Sequence, residues 1–344
     1  MEKVQVGVIG CGSIGTWHIE RFQKAGAEVV AICDIRRDRL EQVKADYKVP
    51  KSYIDYEDLL ARKEVDAVVV ALPTYLHKPV TVAAFEVGKH VLCEKPAAMN
   101  TAEVEEMLSA RDQAGKKLLI GLTQRFRNSS HVLKEHIEAG ELGEVYYAKC
   151  GYLRRSGIPG MGSWFTRRDQ AGAGAIFDIG VHALDLAMWL MGEFRPKEVL
   201  ASSYAKFGPL GKGAGGWGFP EPDGPFDVED LGSAFIKMES GATVFLEVSW
   251  AAHIGGGQFY VTLLGDRAGA DWGSLTVFGE DMGHQVDKKL YAEQNDPYLD
   301  EARHFLGCVR DEEEALTRDE EILGVQMALD AVLRSAEIGE VVRI

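Results

Sequence analysis

The chain has 344 residues, of which 46% are hydrophobic and 26% are charged, and its formal net charge is −15 at pH 7. Its length favours two domains with sizeable cores, and an acidic balance without a concentrated basic segment argues against a nucleic-acid partner. We expect no membrane partner and a cytoplasmic location, because no segment has the roughly 18 consecutive apolar residues of a spanning helix and the N-terminus lacks an apolar signal-peptide core. Five scattered cysteines without a CxxC pair predict neither a disulfide framework nor a zinc site.

The first 120 residues alternate between short apolar runs rich in β-branched residues and amphipathic segments. The predicted strands are VQVGVIG, EVVAIC, VDAVVVAL, HVLCEK and KLLIGL. The predicted helices span 13–25, 36–47, 77–88 and 101–114. This alternation predicts an α/β domain over residues 1–124, with a Rossmann-type doubly wound parallel sheet and helices on both faces.

After Arg125 the pattern changes to that of an α+β domain, which we assign to residues 125–344. A helix is predicted at about 128–139, and the strands that follow a glycine-rich region are KEVLASSYAKF, LGSAFIKM, ATVFLEVSW and FYVTLLG. Tight turns between them indicate a mostly antiparallel sheet that is open on at least one face. Residues 208–226 are predicted to form a long loop over a pocket, and helices at about 298–310 and 319–338 close the chain.

The segment GCGSIG has the glycine spacing of a dinucleotide-binding loop. It follows a predicted strand and opens a predicted helix, and Asp34 ends the second strand about 20 residues further on. Gly10 allows the tight turn, Gly12 lets the backbone approach a pyrophosphate, and Gly15 lets helix and strand pack closely. Asp34 would accept hydrogen bonds from ribose hydroxyls and repel a 2′-phosphate, which favours NAD. Arg36 can pair with a 2′-phosphate, so that NADP stays possible.

The segment CEKPAA places Lys95 at the carboxyl end of a predicted parallel strand. Ligands of open α/β sheets bind outside these strand ends. Pro96 disfavours helical geometry at Lys95, and the small residues Ala97 and Ala98 leave room for a ligand. Lys95 is therefore a candidate catalytic residue, with an ordinary surface lysine as the alternative.

The segment DIGVHALDLAMWLMG is a predicted helix that is apolar except for two aspartates and a histidine. Spacings of four, three and four residues place four side chains on one helical face: Asp178, His182, Asp185 and Trp189. Three interpretations are open: a core histidine satisfied by carboxylates, a metal site of the three polar residues, and a catalytic pair in which Asp178 orients His182. We prefer the catalytic pair, because a histidine with a pKa of about 6.5 works as acid and base near neutrality. No further His or Cys cluster supports a metal.

The segments VGVIGCGSIG, CDIRRD, ALPTYLH, EKP and DIGVHALD occur in the order and spacing of the Gfo/Idh/MocA family. The sequence resembles this family of glucose–fructose oxidoreductases and inositol dehydrogenases over nearly its whole length. The resemblance implies a nucleotide-binding domain joined to a second domain whose open sheet forms a homodimer or homotetramer. It also implies the residues of the site.

By this resemblance, the catalytic residues are Lys95, Asp178 and His182. The implied cofactor-binding residues are Gly10, Gly12, Ser13, Ile14, Gly15, Asp34, Arg36, Leu72, Pro73, Thr74, His77, Glu94 and Lys95. The predicted substrate-binding residues are Lys95, Arg125, Tyr152, Trp164, Asp178 and His182. Tyr152 is assigned from its aromatic ring in the segment 152–174, and the role of Arg125 stays open because TQRF departs from the family's pattern.

These features predict reversible hydride transfer between a secondary alcohol of a sugar or cyclitol and nicotinamide. His182 would remove the hydroxyl proton and Lys95 would stabilise negative charge on the oxygen, although the two roles can be exchanged. The segment 152–174 adds aromatic rings for a sugar face and arginines for hydroxyl or anionic groups. Two alternatives stay open: a redox-neutral, NAD-dependent enzyme that cleaves glycosides, and a non-catalytic regulator that senses a sugar or NAD.

Overall fold

The computed structural model describes residues 3–344, which form two compact units. The first unit contains the chain up to Thr123 together with Asp296–Ile322. The second contains Gln124–Asn295 together with Leu323–Ile344. The predicted contiguous division at residue 124 is therefore incomplete, because a C-terminal segment belongs to the first unit.

Six parallel strands form the sheet of the first unit, in the order β3-β2-β1-β4-β5-β6. The strands are β1 (Gln5–Ile9), β2 (Glu28–Cys33), β3 (Lys51–Tyr53), β4 (Ala67–Val70), β5 (His90–Cys93) and β6 (Leu118–Ile120). The central strand β4 is buried at every position, as expected for a parallel strand covered on both faces. The strand order reverses between β1 and β4, and ligands of such sheets bind beyond the carboxyl ends of the strands at this point.

Five helices connect these strands: α1 (Ser13–Lys24), α2 (Arg37–Tyr47), α3 (Tyr56–Leu60), α4 (His77–Glu86) and α5 (Thr101–Ala114). Four of them lie within two residues of the predicted bounds at each end, and the predicted doubly wound parallel sheet is confirmed. The strand β3 and the helix α3 are absent from the prediction, because three and five residues are too short to show a hydrophobic period.

The second unit combines helices α6 (Asn128–Glu138), α7 (Arg168–Ala171) and α8 (Val181–Met191) with a nine-stranded sheet. Its strands are β7 (Val145–Leu153), β8 (Pro196–Tyr204), β9 (Leu231–Met238), β10 (Thr243–Ser249), β11 (Gln258–Gly265), β12 (Gly269–Asp271), β13 (Thr276–Asp281), β14 (His284–Lys289) and β15 (Val342–Arg343). They follow the order β14-β13-β12-β11-β7-β10-β9-β8-β15, in which only the β7–β10 pair is parallel among the described residues. The predicted α+β class is confirmed, but β7 and β12–β15 are missing from the prediction. β14 is exposed throughout and therefore shows no alternation of buried and exposed residues.

The sequence predicts no membrane-spanning segment, yet one helical segment of the second unit passes the length and composition test for one. The helical run Arg168–Met191 has the length and composition of a membrane span, but 83% of its most apolar window is buried inside the protein. α8, which forms the last part of this run, packs against β7, β10 and β11. The segment is therefore a core helix that the sheet covers.

Two C-terminal helices follow, α9 (Pro297–Val309) and α10 (Asp319–Ile338). α9 belongs to the first unit because it packs against α1. The rings of Phe22 and Phe305 meet edge to face at 6.0 Å, and those of Trp17 and Tyr298 do so at 5.4 Å. This contact joins residues almost 300 positions apart, so no local pattern in the sequence reveals it.

Candidate active site

The glycine loop between β1 and α1 has the geometry of a phosphate cradle. Gly10 has a φ of +100°, and a Cβ there would lie 2.1 Å from the carbonyl oxygen of Ala71. A Cβ on Gly15 would lie 1.9 Å from the carbonyl oxygen of Gly10, whereas one on Gly12 would meet open space. α1 begins directly after this loop with neither a side-chain cap nor an acidic residue in its first turn. Its N-terminal N–H groups and partial positive charge are therefore suited to an anion.

Asp34 stands at the end of β2 and is held by the backbone beside the glycine loop. Its Oδ2 accepts a hydrogen bond from the N–H of Cys11 at 2.8 Å, and its Oδ1 accepts one from the N–H of Arg36 at 2.8 Å. Arg39, absent from the predicted set, donates from Nε to the carbonyl oxygen of Cys11 at 2.8 Å. The Nε of Arg36 lies 3.7 Å from Asp34 Oδ1, so that this arginine neighbours the carboxylate.

These residues fit a nicotinamide dinucleotide. The N–H groups of the loop would hold the pyrophosphate, and Asp34 would accept hydrogen bonds from the ribose hydroxyls. Gly12, Ser13 and Ile14 are partly exposed, as a bound cofactor requires.

The loop after β4 contains a buried histidine that joins two strand ends. His77 Nδ1 lies 2.8 Å from the carbonyl oxygen of Pro96, and its Nε2 lies 2.8 Å from that of Leu72. Burial lowers the pKa of His77, so that the imidazole is neutral near pH 7 and its single N–H serves one of these carbonyls at a time. The side chains of His77 and Thr74 are both buried, so they position the loop, while Leu72 and Pro73 are partly exposed.

Lys95 lies two residues after the end of β5, is partly exposed, and is joined to Pro96 by a cis peptide bond. Its N–H donates to Glu94 Oε2 at 3.1 Å, and Glu94 Oε1 lies 2.8 Å from Nε2 of the buried His18. Burial alone would raise the pKa of Glu94, but the hydrogen bond and charge of His18, with the charge of Lys95, hold it below its usual value. Glu94 is 5% exposed and its carboxylate orients the Lys95 backbone, while its contact with the cofactor stays a prediction.

A second buried acid, Glu301 of α9, is absent from the predicted site. Burial, reinforced by the negative charge of Glu94, raises the pKa of Glu301 well above its usual value. The raised pKa favours the protonated form of the Glu301 carboxyl, against the hydrogen bond of Thr123, which lowers it. Glutamates are rarely buried completely, so composition and spacing give no signal for this position.

The helical run that contains Asp178 and His182 is buried almost throughout. From Ala173 to Leu190 every residue is buried except these two, which are partly exposed. Residues Ile176–Gly180 form a π-helical turn that precedes α8, and such turns are frequent at functional sites. The run therefore presents one acid and one histidine, four residues apart, to accessible space.

Two residues that are absent from the predicted site hold the helical run that contains Asp178 and His182. The Nε1 of Trp250, a fully buried residue just after β10, donates to Asp178 Oδ2 at 2.8 Å. The carboxylate of Glu229 accepts hydrogen bonds from the N–H groups of Gly174 and Ile176 at 3.0 and 2.9 Å. Burial raises the pKa of Glu229, which these two hydrogen bonds oppose. Trp250 was visible as the end of a predicted strand, but its partner lies 72 residues away.

Asp185 and Arg125 form a buried pair away from the two exposed positions. Arg125 Nη2 lies 2.6 Å from Asp185 Oδ1, and both side chains are almost completely buried. The guanidinium carbon of Arg125 also lies 5.9 Å from the ring of Trp189 and 5.5 Å from that of Phe194. The expected single face of Asp178, His182, Asp185 and Trp189 therefore does not form, since the last two pack inward.

The pairing of Asp185 with Arg125 also removes Asp185 from a metal site and argues against Arg125 as a substrate ligand. Among residues 3–344, no three His, Cys, Asp or Glu side chains are grouped to hold a metal.

Tyr152 and Trp164, the two aromatic residues predicted as substrate ligands, are partly exposed. The ring of Tyr152 contacts that of Phe259 edge to face at 5.2 Å, and Trp164 stacks on Phe165 at 3.8 Å. Each therefore has one supported face and some accessible surface. Their contact with a sugar stays a prediction.

A dinucleotide cradle with a strand-end lysine, in a chain whose second unit exposes an aspartate and a histidine, defines a nicotinamide-dependent oxidoreductase. Residues 4–122 match the family model described as an oxidoreductase family with an NAD-binding Rossmann fold. Residues 131–271 match the GFO/IDH/MocA C-terminal domain. The chain belongs to the GFO/IDH/MocA family, and its first unit is an NAD-binding domain.

Relatives and solved structures agree with this assignment. The D-glucoside 3-dehydrogenase of Escherichia coli (strain K12) is 30% identical over 341 residues, which are 98% of this chain and 96% of the relative. The myo-inositol 2-dehydrogenase of Thermotoga maritima (strain ATCC 43589 / DSM 3109 / JCM 10099 / NBRC 100826 / MSB8) is 29% identical over 325 residues, 89% of this chain and 88% of the relative. A structure of levoglucosan dehydrogenase in complex with NADH and levoglucosan has a TM-score of 0.86 at 21% identity over 100% of both chains, which supports the fold alone. The chain is an NAD-dependent oxidoreductase in a family of sugar and cyclitol dehydrogenases.

Proposed function

We propose that the protein oxidises a secondary alcohol of a sugar or cyclitol, and reduces the corresponding ketone, with His182 and Lys95 managing the hydroxyl proton. The observation that carries this proposal is the exposure pattern of the helical run, in which only Asp178 and His182 are accessible between Ala173 and Leu190. An acid and a histidine that are accessible on an otherwise buried apolar helix are suited to contact a polar ligand.

The proposed roles follow from the chemistry of each side chain. Bound NAD supplies the hydride acceptor. His182 accepts the proton of the substrate hydroxyl, because an imidazole, with a reference pKa of about 6.5, suits proton exchange in both directions. Asp178, which Trp250 holds through Oδ2, fixes the orientation of the imidazole. Lys95, whose backbone Glu94 holds, stabilises negative charge on the substrate oxygen.

The choice of NAD over NADP rests on Asp34. Its carboxylate would repel a 2′-phosphate, and the neighbouring Arg36 lies 3.7 Å from that carboxylate, where its charge is already directed to an acid. The N–H groups of Cys11 and Arg36 fix the carboxylate, so that it is in place before the ribose arrives.

We also propose that a second copy of the chain covers the open face of the nine-stranded sheet in a cytoplasmic homo-oligomer. Leu200 and Phe235 are paired across β8 and β9 and are 51% and 49% exposed. Phe235 is also paired with Phe245 of β10, with ring centroids 5.3 Å apart. A row of apolar side chains across three strands is typical of a protein interface. Phe235→Glu should lower the molar mass measured by light scattering, whereas Tyr291→Glu, at a position that is 83% exposed outside the strands, should not.

The experiment that tests the reaction is absorbance at 340 nm with NAD and then NADP, against inositols, aldoses, anhydrosugars, sugar acids and glycosides, with product analysis of each reaction. Substrate-dependent reduction of NAD, with a ketone as product, supports the proposal. Consumption of a glycoside without net reduction would replace it with redox-neutral cleavage. Tight NAD binding without any turnover would replace it with a sensor.

A further inference from the structure

A cavity of about 570 Å³ in the second unit collects basic side chains. Arg154, Arg155, Lys212 and His253 line it together with Phe207, and none of its lining residues is acidic. This composition opposes that of the whole chain, which has 53 acidic and 38 basic residues apart from histidine. A local excess of cations on an acidic protein therefore distinguishes this cavity from the surface around it.

The fold holds Arg154 firmly at one wall. β7 and β10 run parallel and end together, with Leu153 paired to Ser249. The next residue, Arg154, donates its N–H to the carbonyl oxygen of Ser249 at 2.9 Å. Its guanidinium lies over the ring of Tyr152, 4.5 Å from the centroid, and Nη1 donates to the carbonyl oxygen of Gly157 at 3.3 Å. The remaining N–H groups of this planar group are suited to an anion.

The opposite wall is the start of the loop 208–226, which contains Lys212. A buried carboxylate, Asp230, accepts hydrogen bonds through Oδ2 from the N–H groups of Lys206, Phe207 and Gly208 at 2.8, 2.7 and 3.0 Å. Asp230 thus fixes the loop, and its negative charge is satisfied by these three donors. The ring of His253 meets that of Phe207 edge to face at 4.9 Å.

The cavity adjoins the support of Asp178. Trp250, which donates to Asp178, stands two residues before Ala252 and three before His253, both of which line the cavity. The same strand end therefore carries the contact to the candidate active site and one wall of the basic cavity. A ligand whose reactive alcohol lies near Asp178 can therefore extend a charged group towards this cavity.

We infer that this cavity binds an anionic group, a carboxylate or a phosphate, that the sugar substrate carries. The inference rests on the proposed function for the identity of the ligand as a sugar, and on the cavity alone for its charge. Arginine recognises both groups through paired N–H donors, and lysine adds a mobile point charge.

The test begins with anion binding to the NAD-saturated protein, so that the glycine loop is occupied and does not compete. Inorganic phosphate is titrated by calorimetry at constant ionic strength. The variant Arg155→Gln/Lys212→Gln changes two exposed residues outside the catalytic set and should bind phosphate about tenfold more weakly or not at all. Arg195→Gln/Lys197→Gln removes the same charge at the other end of β8 and should bind as the wild type does.

Arg154→Gln is the second cavity variant, and its near-ultraviolet circular dichroism reports whether the Tyr152 contact survives.

Turnover measurements then show whether the cavity binds an anionic group of the substrate or only a free anion. We compare the kcat/KM of each anionic sugar with that of neutral glucose. The anionic sugars are glucuronate and glucose 6-phosphate. We expect an anionic member to be preferred, and its advantage to fall about tenfold in Arg155→Gln/Lys212→Gln while the neutral sugar is unaffected. Phosphate binding that no cavity variant weakens would overturn the site. Weakened phosphate binding with an unchanged ratio of anionic to neutral turnover would overturn its assignment to the substrate. Loss of phosphate binding in the variants, in a protein that turns over no sugar, would reject the proposed function and leave the anion site standing.

Discussion

The two units of the chain hold their functional residues in different ways. In the first unit the glycine loop, Asp34 and Lys95 stand at the carboxyl ends of β1, β2 and β5, and Asp34 is held by the backbone N–H groups of Cys11 and Arg36. In the second unit Asp178 is held by Trp250, 72 residues away, and its helical turn begins at N–H groups bound by Glu229, more than 50 residues away. Both sets of residues can be identified from short motifs, but the supporting side chains far along the chain, such as Trp250 for Asp178 and His18 for Glu94, cannot.

The largest expected effect tests whether the second unit supplies the proton acceptor. His182→Ala should lower kcat by about 10²–10⁴-fold at saturating NAD, because a positioned acid–base group contributes that range. NAD affinity should be unchanged, since the residues that fit NAD lie in the first unit. Stopped-flow absorbance at 340 nm and NAD titration give the two quantities.

The matched control is His284→Ala, at an exposed position on β14. It should leave kcat at the wild-type value. If His182→Ala keeps near-wild-type turnover with an unchanged unfolding midpoint, the assignment of the proton acceptor is wrong, and Lys95→Met becomes the variant to measure.

The buried pair of the second unit should show the next largest effect. Asp185→Ala leaves the guanidinium of Arg125 buried without its carboxylate and should lower the free energy of unfolding by about 3–5 kcal/mol. Arg125→Met/Asp185→Leu removes both charges and should recover most of that loss. Urea unfolding followed by tryptophan fluorescence measures both variants. An Arg125→Met/Asp185→Leu protein that folds stably but loses affinity for substrate would restore Arg125 to the substrate site.

Residue identities and fold classes could be predicted from the sequence, whereas the contacts between distant side chains could not. The glycines, Asp34, Lys95, Asp178 and His182 are singled out by residue type and spacing, and both fold classes follow from the strand and helix patterns. Hydrogen bonds and burial were not predictable: His77 and Glu94 match family motifs, yet their side chains are buried and position neighbouring loops. Glu301 gives no signal, because a buried acid depends on contacts that α9 makes only after the chain has folded.

A smaller effect tests the local design of the first unit. Asp34→Ala should weaken NAD binding by about tenfold and reduce discrimination against NADP, because it removes both the ribose acceptor and the charge that repels a 2′-phosphate. Asp34→Asn keeps one side-chain oxygen and should retain more NAD affinity while relaxing discrimination equally. Fluorescence titration with NADH and NADPH measures the ratio, with Asp38→Asn, an exposed acid of α2, as the control. Equal ratios in all four proteins would remove Asp34 from cofactor selection.

The last prediction concerns Glu301, a buried acid of the first unit that the sequence does not reveal, and its effect at any one pH step is small because it appears as a slope with pH. Because the pKa of Glu301 is raised in the folded protein, the folded state holds a proton that the unfolded state releases above about pH 4.3. The stability contribution is complete below that pH and is lost as the pH rises through the folded pKa. Glu301→Gln does not titrate, so its free energy of unfolding relative to wild type should increase with pH, by at most about 1.4 kcal/mol per pH unit. Urea unfolding between pH 5 and 8 measures this slope, which separates titration from any constant offset that the amide introduces.

Glu314→Gln, at an exposed position, should give no slope. A flat difference for Glu301→Gln over this range would mean that Glu301 is ionised in the folded protein despite the negative charge of Glu94.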